Sequence, residues 1–188
     1  MPDTPRRLVH ERTISCRGYA RDDGLWEIEG EFLDVKHQPY TAGDGAARPP
    51  GAPLHAMTLR LVIDDDARIR DAASTIDHAP FDTCPAAAPL GAKLVGMTIG
   101  KGFMAEARRA IGGTRGCLHV IELLGEVAGT AFQTLHAVRW RKVAEARERG
   151  EPPVRPAIID TCHALKADGP VVAQKWPEFA TEHESGGE

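Results

Sequence analysis

The amino-acid sequence predicts an α+β domain, with an antiparallel sheet of hairpins packed against a long C-terminal helix and shorter helices. Three observations carry this. Apolar residues alternate with period two in the first part of the chain, acidic turns separate those runs, and from Cys117 onward apolar residues recur every three or four positions. Strands first and helices later is the α+β order.

The elements follow in chain order. Residues 1–12 are polar and loosely held. Residues 13–19 and 25–36 read as two strands, because Trp26, Ile28 and Phe32 alternate with Glu27, Glu29 and Glu31. Arg21-Asp22-Asp23-Gly24 joins them as a hairpin turn, since Asp-Gly tolerates positive φ. Residues 41–53 form a flexible loop rich in Gly and Pro, long enough to fold over a site as a lid. Met57, Leu59, Leu61 and Ile63 start a second hairpin that turns at Asp64-Asp65-Asp66 and returns through Ile69. Those three aspartates read as a solvated turn, because no calcium-loop spacing follows them. Pro85 and an alanine run place Cys84 near a helix start. A short helix over 104–111 runs into Gly112-Gly113. A long one then extends from Cys117 to about Glu148, with Cys117, Val120, Leu124, Val127, Ala131, Leu135 and Val138 on its apolar stripe. His119, Glu122, Glu126 and Gln133 form a polar strip opposite. Gly125 and Gly129 weaken this helix or let it approach the sheet closely. A single domain over 1–180 with a disordered tail at 181–188 is expected.

Composition narrows the function. The 42% hydrophobic and 27% charged content describes an ordinary globular chain. A net charge of −4 offers no basic face, so nucleic acid is not an expected partner. No apolar run reaches the roughly 18 residues of a membrane span. The N-terminus lacks a signal peptide's apolar core, so a cytoplasmic protein is expected, free or as a homo-oligomer. Cys16, Cys84, Cys117 and Cys162 form no CxxC pair and read as thiols, core residues or metal ligands rather than disulfides.

The candidate chemistry centres on Gly112-Gly113-Thr114-Arg115-Gly116-Cys117-Leu118-His119. A thiol at a helix N-terminus has a lowered pKa, and glycines allow a ligand close to the backbone. Cys117 equally fits the apolar stripe as a core residue. Within a helix, two positions is a rotation of about 200°, so Cys117 and His119 share a site only if the helix begins after the cysteine. Otherwise His119 is a surface histidine. With Cys117, Cys84 and His55 would supply two thiolates and an imidazole, a set suited to zinc, although their spacing is no signature. Asp160-Thr161-Cys162-His163 is a compact polar cluster in which His163 could act as acid or base, or which is simply a capped turn. No GxSxG, Walker, Rossmann or HExxH pattern occurs.

Two resemblances add to this. Cys16-Arg17-Gly18-Tyr19, Asp23-Gly24-Leu25-Trp26-Glu27-Ile28-Glu29-Gly30, His55-Ala56-Met57, Gly116-Cys117-Leu118-His119 and Asp160-Thr161-Cys162-His163 resemble the bacterial domain-of-unknown-function family twenty-eight eighty-nine. That resemblance implies an association with aromatic compound breakdown. Residues 55–138 are similar in order to iron–sulfur cluster scaffold proteins of the NifU N-terminal type. There Cys84 matches the middle ligand cysteine, Cys117 the last, and His55 falls where the ligand aspartate sits. The first ligand cysteine is missing, with Pro53 near its place, so the resemblance implies a metal or active-site corner with altered ligands.

The expected function is a small enzyme acting on a small organic catabolite, which the first resemblance implies is aromatic, by lyase or hydrolase chemistry. Its catalytic residues would be Cys117, His119 and His163, and its metal, zinc or another transition ion, would sit on His55, Cys84 and Cys117. The alternative is a metal or iron–sulfur carrier without catalytic activity of its own.

Overall fold

A computed structural model describes residues 4–181. The chain divides into two compact units, Met1–Trp140 and Arg141–Glu188. The positions from 182 onward, where a frayed tail is expected, lie outside the described residues.

In the first unit, strands β1 (His10–Ala20), β2 (Trp26–Lys36), β5 (Pro53–Ile63) and β6 (Ile69–His78) form one antiparallel sheet in the order β1-β2-β5-β6. Both turns are set by aspartates. Leu25 N donates to Asp23 Oδ1, and Asp66 N and Arg68 N donate to Asp64 Oδ1 at 3.0 Å each. The Asp64–Asp66 segment is thus a hydrogen-bonded turn. The loop over 41–53 is not featureless. It holds a small hairpin of β3 (Tyr40–Thr41) and β4 (Ala47–Arg48), pinned by Asp44, whose Oδ1 accepts from Ala46 N at 2.8 Å.

One face of the sheet carries Ile28, Phe32, Met57, Leu59 and Leu61, all at most 2% exposed. The other face is a ladder of ion pairs, Arg17–Glu31, Arg21–Glu27 and Arg60–Glu27. Cys84–Leu94 is a 3₁₀ helix that lies along β6, where Ser74 Oγ donates to Ala88 O at 2.6 Å. Helix α1 (Phe103–Ile111) follows, and α2 (Leu118–Thr134) packs on the apolar face through Val120, Leu123, Leu124 and Val127. No helix among the described residues is long and apolar enough to cross a membrane.

The single long helix expected from Cys117 to about Glu148 is two helices. It stops at Thr134, passes through Leu135 at φ −81°, ψ 2°, and resumes as α3 (His136–Glu148). Thr130 and Thr134 each donate a hydroxyl to the carbonyl four residues back, Glu126 O and Thr130 O, both at 2.9 Å. Such back-bonding bends and weakens a helix. Leu135 is fully buried, so the packing that fixes it outweighs continuous helix.

Close packing of α2 on the sheet comes from the strand, not from the helix glycines. A Cβ on Gly30 would lie 2.5 Å from Val127 Cγ2 and 2.9 Å from Leu123 Cδ1, whereas a Cβ on Gly129 would meet nothing within 4 Å. Opposite results are therefore expected. Gly30→Ala should cost about 1–3 kcal/mol through overpacking, and Gly129→Ala should gain about 0.5–1 kcal/mol by helix propensity. Urea unfolding of the two variants checks both signs.

The second unit has its own apolar cluster of Ile159, Val172 and Trp176, the last two on or just after helix α4 (Pro170–Lys175). Asp160, at φ 66°, ties this unit together: its N donates to Leu165 O and its Oδ1 accepts from Ala167 N, both at 2.8 Å. The Asp160–His163 cluster has the geometry of a turn held by its aspartate.

Candidate functional site

Asp34 is the one polar or charged residue buried among those described, at 1% exposure. Period two puts it on the helix-facing side of β2, in line with Ile28, Gly30 and Phe32. The sheet register sets Arg12 of β1 opposite it on one side and His55 of β5 on the other. A register shift between Asp34 and Val35 ends the regular pairing at this point, a common way to aim side chains near a site.

Four donor atoms surround the carboxylate. Arg12 forks onto it, Nε to Oδ1 at 2.7 Å and Nη2 to Oδ2 at 2.9 Å. His55 Nδ1 lies 3.0 Å from Oδ2, and His10 Nε2 3.3 Å from Oδ1. Burial alone would raise the Asp34 pKa. The hydrogen bonds from Arg12 and His55 and the charges of Arg12 and His10 outweigh it and hold the carboxyl at about 2.

His119 comes down from the first turn of α2. Its ring centroid is 4.0 Å from that of His55 and 5.3 Å from that of Phe32, and the Arg12 guanidinium covers Phe32 at 4.5 Å. Burial, and then the neighbouring His55, push the His119 pKa below its ordinary value, which favours a neutral imidazole. One turn further on, Glu122 accepts from Arg12 at 3.2 Å.

Asp34, His55 and His119 bring a carboxylate oxygen and two imidazole nitrogens within 4.8 Å of one another. Such a set can hold a divalent transition ion, or can orient a histidine for proton transfer. Cys117 borders it. Its backbone is extended at φ −111°, ψ 130°, so the helix begins after it, and its Sγ lies 3.9 Å from His119 Nδ1. The condition under which the two residues could share a site is met, while Cys117 also packs half-buried on the main core.

Of the residues singled out from the sequence, the structure brings together His55, His119 and Cys117. Cys84 lies at the start of the 3₁₀ helix, half-buried against the core, and is not a member of the ligand cluster. His163 is exposed in the second unit. The glycines before Cys117 serve the chain's own packing, because a Cβ on Gly116 would fall 2.0 Å from Ile111 O and one on Gly112 2.5 Å from Arg108 O. Asp34 and Arg12 are the members that sequence reasoning misses. The signal for Asp34 was present, a carboxylate on the apolar parity of a strand.

No curated protein and no solved structure matches the chain. The looser resemblance of residues 55–138 to iron–sulfur cluster scaffold proteins is not shown by these comparisons. Residues 10–133 match the family described as a protein of unknown function, DUF2889, a span that holds Arg12, Asp34, His55, Cys117, His119 and Glu122, and the chain belongs to that family.

Proposed function

We propose that this chain is a small enzyme that acts on a small organic molecule by hydrolase- or lyase-type chemistry, at a divalent transition-metal site formed by Asp34, His55 and His119. The observation that carries the reading is the convergence of those three ligand atoms within 4.8 Å. Metal–ligand bonds of about 2.0–2.2 Å put neighbouring ligands on one ion roughly 3.0–3.5 Å apart, and Asp34 Oδ2 and His55 Nδ1 are 3.0 Å apart. Two imidazoles with one carboxylate suit borderline ions such as zinc or iron(II). A bound ion of this kind would polarise a carbonyl or acidify a coordinated water. Arg12 keeps Asp34 ionised behind the site, and burial keeps His119 in the neutral form that a ligand needs.

A second reading is favoured by the Arg12 fork, which already occupies both carboxylate oxygens. In that reading the Asp34–His55 contact is a hydrogen bond from Nδ1–H. It fixes the tautomer and leaves Nε2 as a general base beside the Cys117–His119 pair.

Elemental analysis of protein purified without an affinity tag separates the two. The metal reading expects about one zinc or iron per chain, retained in Cys84→Ser and lost in His55→Ala. Folded wild-type protein that takes up neither zinc, cobalt nor iron would overturn it.

A further inference from the structure

Beside the first turn of α2 lies a hollow of about 320 Å³, framed by the end of α1, the glycine turn and the start of α2. Arg108 and Arg115 line it together with Gly112, Gly113, Leu118 and Ile121, the last two giving it apolar surface. Neither arginine side chain has a hydrogen-bond or ion-pair partner among the described residues. In this unit Arg12, Arg17, Arg21, Arg48, Arg60 and Arg70 are paired with carboxylates, whereas Arg6, Arg7, Arg68 and Arg109, like Arg108 and Arg115, are paired with none among the described residues. In a chain of net charge −4, two of these uncommitted arginines, Arg108 and Arg115, line the same hollow. Leu118 is 66% exposed there, an apolar side chain left in solvent directly after Cys117.

We infer that this hollow is a binding subsite for a small organic acid, its apolar body against Leu118 and Ile121 and its carboxylate between Arg108 and Arg115. The volume suits a small ligand, and Arg is the side chain that meets a carboxylate with paired hydrogen bonds. The apolar wall argues against a bare inorganic anion, and the two charges argue against a neutral ligand. The subsite is independent of the metal site, since it uses none of Asp34, His55 and His119.

The test titrates hexanoate, hexanamide and inorganic phosphate into the full chain by calorimetry, in zinc-loaded and in chelator-treated protein. Methyl NMR spectra follow Leu118 and Ile121. Hexanoate should bind at least about tenfold more tightly than either other probe, as hydrogen bonds to charged groups predict. It should shift those two side chains and bind equally with and without zinc. The double variant Arg108→Gln, Arg115→Gln, which changes only exposed side chains, should lose at least about tenfold in hexanoate affinity. Equal binding of hexanamide or phosphate, or undiminished hexanoate binding in the double variant, would overturn the inference.

Discussion

The His119→Ala protein is expected to lose at least about a hundredfold in zinc affinity while remaining folded. Changing a group that merely orients a ligand costs about 10–100-fold, and His119 would be a ligand itself. The ring is half-buried between His55 and Phe32, so removing it should cost stability of only about 1–2 kcal/mol. Competition titration of zinc with a chromophoric chelator measures the affinity, and circular dichroism verifies the fold. The control is Cys84→Ser, for which unchanged affinity is expected, because Cys84 lies outside the ligand cluster. If His119→Ala keeps its zinc and Cys84→Ser loses it, then the ligands are His55, Cys84 and Cys117 and not Asp34, His55 and His119.

The difference between those ligand sets shows which parts of the molecule could be read from the sequence. The β1–β2 hairpin was legible because its Asp-Gly turn is short, and a short turn fixes register. Arg12 opposite Asp34 needs the loop length as well: Ala20 pairs with Trp26 across a five-residue loop, whereas a two-residue Asp-Gly loop would set Arg12 opposite Val35. Asp34 opposite His55 follows from no such turn, since β2 and β5 are joined through the 41–53 segment, and a loop of that length leaves the register free. The approach of His119 is further removed, since it depends on where α2 lands, and Gly30 beneath Val127 and Leu123 decides that. Cys84 drew attention by residue type and lacked any positional constraint. Asp34 carried one, its parity with Ile28 and Phe32, and a chain-order reading that weighs types before positions passes over it. The split between α2 and α3 was hidden for a related reason. The apolar step continues through Leu135 and Val138, and only the threonine back-bonds mark the bend.

Asp34→Asn should remove a pH-dependent share of the stability that the wild type has at neutral pH. An ordinary aspartate titrates near 3.9 in an unfolded chain, while Asp34 in the fold titrates at about 2. A depressed pKa means that the stabilisation is fully present above the unfolded value and is lost as pH falls through the folded one. The difference is worth about 2–3 kcal/mol at pH 7. The side chain is almost completely buried, so solvent screening does little to reduce it. Asparagine cannot hold the charge, and its amide group would set a donor against Arg12 or His55, both of which donate here. Asp34→Asn is therefore expected to be about 2–4 kcal/mol less stable than wild type at pH 7. That gap should narrow by about 2 kcal/mol as the pH is lowered from about 5 towards 2, because the wild type then protonates the same carboxyl. Urea midpoints of both proteins across that range, with chelator present so that no metal contributes, measure the gap. A gap that stays constant with pH would mean that Asp34 is held by shape rather than by charge, and Arg12 would then lose its role as the group that keeps the carboxylate ionised.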